Sequence, residues 1–502
     1  MFYVVLIILF VTIIISILFI NNRYKHWQRR GIVGTKPTFF FGHLREFIMG
    51  KKNLAFVIDD AYKAFPEERF IGIFEFTKPN LIIKDPELIG DVLVKDFSYF
   101  HDRTIDPANT HRLNRHVGRL TGEKWNLVRT KLMPSFSTNK LKSMYSSMEQ
   151  CCNILDSHLR NHLSHNDQVD VKEVLEKFTT DAVGNCIFGL EYDSLTNPNS
   201  LYFKISQQLF AVTPRLIIVT ILRFVNPKFL KWFKISEVNP EVEKFFYNLL
   251  YHIEEFRKNK SFQRNNLAQT MLSIRDQEME QNDKNKKIVL DNETIASNLY
   301  IMQSAGFETP ATALGYCLYE LALNPEIQEK VRKEIKDVRE KNNGSLNFEA
   351  LNDLVYMEMV LTETLRLYNP GNSFRRVCTK AWKVPNTSLI LQRGDRITIP
   401  AHSIHHDEKY YPDPYKFNPE RFSEENKINL KPFTFLAFGG GPRTCIGFKY
   451  AKMEMKLCLA TLLTNYKISP CSKTEIPIVI NPMTTQTQYD AKNGIWLRFT
   501  TI

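Results

Sequence analysis

Ten residues near the far end of the chain, Phe438-Gly439-Gly440-Gly441-Pro442-Arg443-Thr444-Cys445-Ile446-Gly447, constrain it more than any other stretch. One cysteine sits in a glycine-rich loop, two positions after an arginine, and the amphipathic run 448–463 that follows reads as a helix. Cys445 therefore stands at a helix N-terminus, where unpaired backbone N–H groups and the macrodipole favour thiolate over thiol. The glycines let backbone pass close to a flat, bulky ligand. A lone cysteine is more often a small buried hydrophobe, but the arginine, the glycines and the helix around this one point to a sulfur that binds the metal of a planar group.

With 502 residues, 43% of them hydrophobic and 12% aromatic, the chain can bury a large core. Length alone would suggest roughly three domains, yet no internal linker divides it, so one large domain behind a short leader is expected. The net charge of +12 is compatible with nucleic acid, an anionic membrane or an acidic protein partner. Basic runs with interleaved aromatics and zinc-finger spacings are both missing from the sequence, which argues against nucleic acid. The eight cysteines form no Cys-x-x-Cys pair, and a chain this long needs no disulfide framework.

Residues 1–20 carry no charge and are built almost wholly of Val, Ile, Leu and Phe. At about 1.5 Å per residue they just reach across a bilayer core. Arg23, Lys25, Arg29 and Arg30 follow, which by the positive-inside tendency puts the rest of the chain in the cytoplasm. A signal-anchor over 1–22 is expected, then a junction over 23–42 punctuated by Gly31, Gly34, Pro37 and Gly42, then the catalytic body over 43–502. Strands are expected at 70–76 and 81–83, and Asp85-Pro86 opens a helix with aspartate as N-cap. Trp125 and Arg129 stand one helical turn apart. Residues 141–281 read as mainly helical, with an unusually apolar segment at 209–225.

A long helix should run from about Asp291 to Asn324-Pro325. Ala305-Gly306-Phe307-Glu308-Thr309-Pro310 lies in its middle, where a glycine, an acid and a hydroxyl are costly together in an apolar helix. Pro310 removes an N–H that would bond the carbonyl of Gly306, and a widened kink is expected there. Glu363 and Arg366 form an i,i+3 charge pair, Arg421 follows in Pro419-Glu420-Arg421-Phe422, and Arg375-Arg376 lies between them. The histidines at 405 and 406 read as packing residues of an extended segment, and 476–502 reads as a hairpin closed by Asn493-Gly494.

The cysteine loop resembles the haem-ligand signature of the cytochrome P450 family, Phe-x-x-Gly-x-Arg-x-Cys-x-Gly, at every defined position. Ala305 to Thr309 resembles the family's oxygen-activation motif, and Glu363, Arg366 and Arg421 its buried Glu-Arg-Arg triad. These motifs occur in family order over essentially the whole chain after the anchor. The resemblance implies the P450 fold, mainly α with small β-sheets, behind a transmembrane helix. It implies haem b ligated by Cys445, with Phe438, Gly439 and Gly447 shaping the loop. Propionates would be held by Trp125, Arg129, Arg443 and either Arg376, which aligns better, or Arg375. Glu308 and Thr309 would deliver protons to dioxygen, and the triad would be structural.

The sequence carries no Rossmann fingerprint or flavin segment, so the resemblance implies NADPH-cytochrome P450 reductase as electron source, with cytochrome b5 as a further partner. Lys449, Lys452 and Lys456 are candidates for its docking face. The implied substrates are lipophilic small molecules, the implied location the endoplasmic reticulum membrane, and the nearest look is to insect forms that handle plant toxins and insecticides. Phe100, Phe210, Phe307 and Met483 are candidate pocket residues, and 209–225 would cover the channel and dip into the membrane surface. Two other readings stay open: a haem-thiolate enzyme that rearranges peroxides, and a membrane-anchored haem sensor.

Overall fold

The computed structural model describes residues 1–104, 112–226, 228–233, 235–258, 266–280, 289–371, 373–484 and 489–502. Its architecture is mainly helical, and the strands among the described residues are short. They are β1 (Phe70–Glu75), β2 (Lys78–Ile83), β3 (Gln168–Asp170), β4 (Phe374–Val377), β5 (Trp382–Lys383), β6 (Ile390–Leu391), β7 (Arg396–Ile399), β8 (Tyr466–Pro470) and β9 (Trp496–Thr501). Three small sheets result, ordered β1-β2-β7-β4, β3-β9-β8 and β5-β6.

The N-terminal helix Phe2–Tyr24 is long and apolar enough to cross a membrane. Almost all of its side chains are exposed, and Ile20 is the buried exception. The stretch that follows is docked onto the body. Tyr24 donates from its hydroxyl to Thr38 O (3.0 Å), Trp27 is buried and donates from Nε1 to Ile73 O (2.9 Å), and Arg30 pairs with Asp395 (2.9 Å). Gly34 lies so close to β1 that a Cβ there would come within 2.0 Å of Gly72 O.

The core is organised around the central helix Asn292–Leu323. Asp291 caps it by accepting from Thr294 N (2.8 Å), and Asn324-Pro325 stops it. It runs as one helix through Pro310. Asp85 likewise caps Pro86–Gly90, accepting from Glu87 N (2.7 Å).

Two sequence expectations fail here. The tail pairs on itself antiparallel only over a short stretch, with Ile480 bridging Ala491, Asn481 N donating to Asp490 O (2.7 Å) and Lys492 N to Val479 O (2.8 Å). It is not closed at Asn493-Gly494, and β9 instead pairs with β8 and β3. Asp170 explains this, because its carboxylate accepts from Ile495 N (3.1 Å) while Val171 N donates to Ile495 O (2.9 Å). The turn at Asn493-Gly494 is thus clamped to the start of the helix Val171–Ala182. The helix after the cysteine, Phe448–Asn465, is not amphipathic either, since Met453 through Ala460 are all buried, whichever way they face.

Within that helix Glu454 is fully buried, and neither carboxylate oxygen has a partner. Burial alone pushes its acid well above the ordinary range. An acid raised in the folded state costs stability as pH climbs past its ordinary value, because only the unfolded chain then releases the proton freely. Glu454→Met removes an unsatisfied group at little change of volume. Calorimetric unfolding should show a stabilisation of about 1–3 kcal/mol, larger at pH 8 than at pH 5.

Candidate active site

The cysteine loop is fastened from behind by a buried relay. Glu363 and Arg366 are completely buried and form a bidentate pair, with Arg366 Nε to Oε2 at 2.7 Å and Nη2 to Oε1 at 2.8 Å. Arg421 Nε joins Glu363 Oε1 at 3.3 Å. Arg366 Nη1 donates to His405 O (2.7 Å), the His405 ring meets Arg366 O through Nδ1 (3.1 Å), and Leu436 N donates to His405 Nε2 (2.8 Å). Burial holds His405 well below its ordinary pKa, which leaves the neutral ring that an accepting Nε2 requires. Leu436 O in turn accepts from Gly439 N (2.9 Å) at the head of the loop. Residues 401–405 form a helical turn, not an extended segment, and His405 is a positioning residue that the sequence does not reveal.

The loop closes when Cys445 N donates to Phe438 O at 2.9 Å, and Phe438 packs against Phe448. Gly441 has φ +66° and a Cβ there would sit 1.8 Å from Leu93 O, so the turn admits only glycine. Gly447 is different. A Cβ on it would find ordinary contact with Phe136 at 3.8 Å, so nothing in the protein itself demands glycine there.

Cys445 is walled in by protein yet carries accessible surface, so it faces internal space. Burial pushes its thiol up, while the Gly447 N–H, Arg103 and Arg129 pull the other way. These lowering contributions, the Gly447 N–H at the helix start among them, work against burial, and a bound metal would hold the sulfur as thiolate.

Around this sulfur the fold gathers positive charge. Arg103, Arg129, Arg376 and Arg443 crowd one another, and burial with mutual repulsion pushes Arg376 down to about 9 and Arg443 to about 8. Guanidinium keeps its proton at neutral pH; burial is the larger cause of these shifts, and repulsion between the arginines adds to it at Arg103, Arg376 and Arg443. Arg376 is buried, donates to Arg375 O (2.9 Å) and leaves Nε without an acceptor. Arg375 turns to Glu75 instead (2.8 Å). Trp125 on the helix Gly122–Leu132 is buried with Nε1 unpaired, and Arg129 Nη2 donates to Thr444 O at 2.9 Å.

Arg443 stands apart. It donates to His101 O and Leu120 O (both 2.8 Å) and Val117 O (3.3 Å), and lies over the Trp125 ring at 3.8 Å. It stitches His101, Val117 and Leu120 to the cysteine loop. Arg103 was invisible in the sequence, where it is one loop arginine without periodic context.

On the central helix Ile301, Ala305 and Thr309 share a face at spacings of four, and Ile301 lines the cavity described below. Thr309 Oγ1 donates to Ala305 O at 2.5 Å. Gly306 is required by packing, since a Cβ there would press within 2.5 Å of Val183 Cγ2. Glu308 points elsewhere, into a buried cluster with Lys172, Glu176 and Asp490. Burial raises Glu308 and Glu176 to about 7, the carboxylates push one another up, and Lys172 opposes this. Lys172 pairs with Asp490 and lies 3.6 Å from Glu176.

Beside the charge ring opens a cavity of about 1480 Å³, bordered by Arg103, Arg376, Ile301 and the helix Pro214–Val225. Phe210 and Met483 line it, and Phe307 packs behind Phe210 at 5.9 Å. Phe100 does not reach it; it is core, packed edge-on against Trp382 at 4.9 Å.

Residues 33–492 match the description of the cytochrome P450 family. The chain belongs to that family. It is 33% identical to cytochrome P450 6k1 of Blattella germanica over 490 residues, covering 95% of this chain and 93% of the relative. It is 32% identical to cytochrome P450 6j1 of the same species, covering 99% and 98%. It is 34% identical to the probable cytochrome P450 6a13 of Drosophila melanogaster, covering 91% and 90%. Membership implies a haem cofactor and monooxygenase chemistry, and this P450 fits haem on its own residues. A sulfur opens inward, a glycine unneeded by packing follows it, and orphaned donors on Trp125 and Arg376 lie in a cationic ring suited to two propionates.

Two tests follow from these contacts. Replacing His405 by alanine unties Leu436 N and leaves a buried donor unmet, at about 1–3 kcal/mol; haem retained per protein after gel filtration should fall, while His405→Gln should restore part of it. Removing Lys172 takes away the charge that opposes the rise of Glu308 and Glu176. In Lys172→Met the pH profile of turnover should therefore move to higher pH by about one unit, and in Lys172→Arg it should stay in place.

Proposed function

We propose that this P450 is an anchored monooxygenase that inserts one atom of dioxygen into lipophilic small molecules, xenobiotics such as plant toxins or insecticides, or endogenous lipids and hormones. The observation that carries the reading is Cys445 opening onto enclosed space inside a ring of arginines. When bound, the haem supplies dioxygen activation. Cys445 Sγ would hold its iron. Arg103, Arg129, Arg376 and Trp125 Nε1 would hold its propionates, and Arg443 keeps His101 and Leu120 in place beside them.

Thr309 holds a hydroxyl proton at the wall of the chamber. Glu308 brings protons from the cluster with Lys172, Glu176 and Asp490, and Glu308 and Glu176, raised to about 7, can both take and release them. The apolar bulk of the central helix excludes water from the rest of that wall.

Electrons come from NADPH through a flavoprotein reductase, with cytochrome b5 as a second donor. Exposed Lys449 and Lys124 suit an acidic docking face. Lys456 does not: it is buried and donates to Leu351 O (2.9 Å) and Leu354 O (3.2 Å), and Lys452 is paired with Glu358 at 2.5 Å.

The anchor over 1–22 places the body over 43–502 on the cytoplasmic face of the endoplasmic reticulum, and 23–42 joins the two as a docked strap. Exposed Phe39, Phe40, Ile218 and Val479 suit lipid contact, and Ile218 lies on the helix Pro214–Val225 that borders the cavity.

The deciding experiment is the carbon-monoxide difference spectrum of reduced protein in membranes. A strongly red-shifted Soret band, lost in Cys445→Ala, is expected, together with NADPH- and reductase-dependent product from a lipophilic panel. A band at the histidine-ligated position, or product from peroxide without reductase, would overturn the reading.

A further inference from the structure

One carboxylate stands among the arginines that surround Cys445. Asp102 is buried, and its contacts reach three separate parts of the chain. Its Oδ1 accepts from Gly122 N at 2.7 Å, meets His101 Nδ1 at 2.7 Å and lies 3.7 Å from Arg443 Nη2. Its backbone carbonyl accepts from Val377 N at 2.9 Å, where a bridge ties it to β4.

Each contact falls beside a member of the cationic ring. Gly122 opens the helix that carries Trp125 and Arg129. The N-cap of that helix, Thr121, makes no side-chain bond, so the Asp102 carboxylate does the work of a local cap from outside. A negative charge is favourable at that end of a helix as well. Val377 directly follows Arg376 on β4. At Arg443 the charges of Arg103, Arg376 and Arg129 repel, and Asp102 attracts. His101, bound to the same oxygen, offers its carbonyl to Arg443 Nε at 2.8 Å. Arg443 is thereby committed to the protein, and the charge left for an incoming anion is that of Arg103, Arg129 and Arg376.

We propose that Asp102 is a positioning residue for the haem propionates. It ties the helix Gly122–Leu132, β4 and the cysteine loop together at one point, so that Trp125, Arg129 and Arg376 are held ready as a set, and its charge offsets part of the ring's. This rests on the reading of the arginine ring as the propionate site. Without the carboxylate, Gly122 N loses its acceptor and Arg443 its counter-charge. A negative charge also disappears from the propionate site, which favours the ferrous state.

Asp102→Asn keeps an oxygen for Gly122 N and removes the charge, whereas Asp102→Ala removes both. The full-length holoprotein in lipid nanodiscs is read in three ways. Amide hydrogen exchange over 122–129 should quicken about tenfold in Asp102→Ala and stay near wild type in Asp102→Asn. The remote helix Pro325–Lys341 should be unchanged in both. Transfer of haem to excess apomyoglobin should be about tenfold faster in Asp102→Ala and less affected in Asp102→Asn. The haem reduction potential should rise in both, because both lose the charge; a residue that served folding alone would leave Asp102→Asn at the wild-type potential. Unchanged exchange over 122–129 or unchanged haem transfer in Asp102→Ala overturns the proposal. So does exchange raised equally over 325–341, or an unshifted potential in Asp102→Asn, and that last measurement decides even where Asp102→Ala does not fold. A wild-type carbon-monoxide spectrum without the thiolate band counts against the monooxygenase reading instead, since exchange over 122–129 reads the Asp102 clamp whatever ligates the iron.

Discussion

The buried pair of Glu363 and Arg366 is the contact on which the rest of the site hangs. Taking two charges wholly out of water costs several kcal/mol per ion, and such a pair holds only when its geometry satisfies nearly every donor and acceptor. Here it does. Glu363 receives both arginines and the Asn418 amide (3.0 Å), and Arg366 spends its remaining donors on His405 O and Pro414 O. The pair matters less for net stability than for position. It fixes His405, His405 fixes Leu436, and Leu436 fixes the glycine turn that presents Cys445.

The second organising constraint is uncompensated charge. The polypeptide lays Lys78, Arg396 and Arg375 in a row along the β1-β2-β7-β4 sheet. At the sulfur it builds a ring of guanidiniums, where the cations outnumber the carboxylates among the described residues. Burial first and mutual repulsion second weigh on Arg376 and Arg443, and an anionic group entering there would relieve the repulsion.

Local signals were legible in the sequence and distant ones were not. The cysteine loop, the Asp85 cap, the start of the central helix near Asp291 and the stop at Pro325 depend on neighbours a few residues away, and the structure has each where the sequence put it. Arg103, His405 and the Lys172–Asp490 pair depend on partners tens to hundreds of residues off, so no periodicity marked them. Lys456 misled because a lysine on a helix reads as solvated until two carbonyls are found to hold it. The tail misled because the Asn493-Gly494 turn satisfied hairpin chemistry while Asp170 supplied a better partner.

The docked strap after the N-terminal helix changes how the whole molecule behaves on a surface. Tyr24, the last residue of that helix, already bonds to Thr38, and Trp27 is sunk against β1 three residues later. The span and the sheet are therefore joined with almost no slack. A body tethered by a loose leash samples many tilts; a span joined this closely would carry the body with it. In a bilayer, a tilt of the helix would then be passed on to the sheet and its row of cations, and bilayer thickness would bear on which part of the cavity meets the membrane.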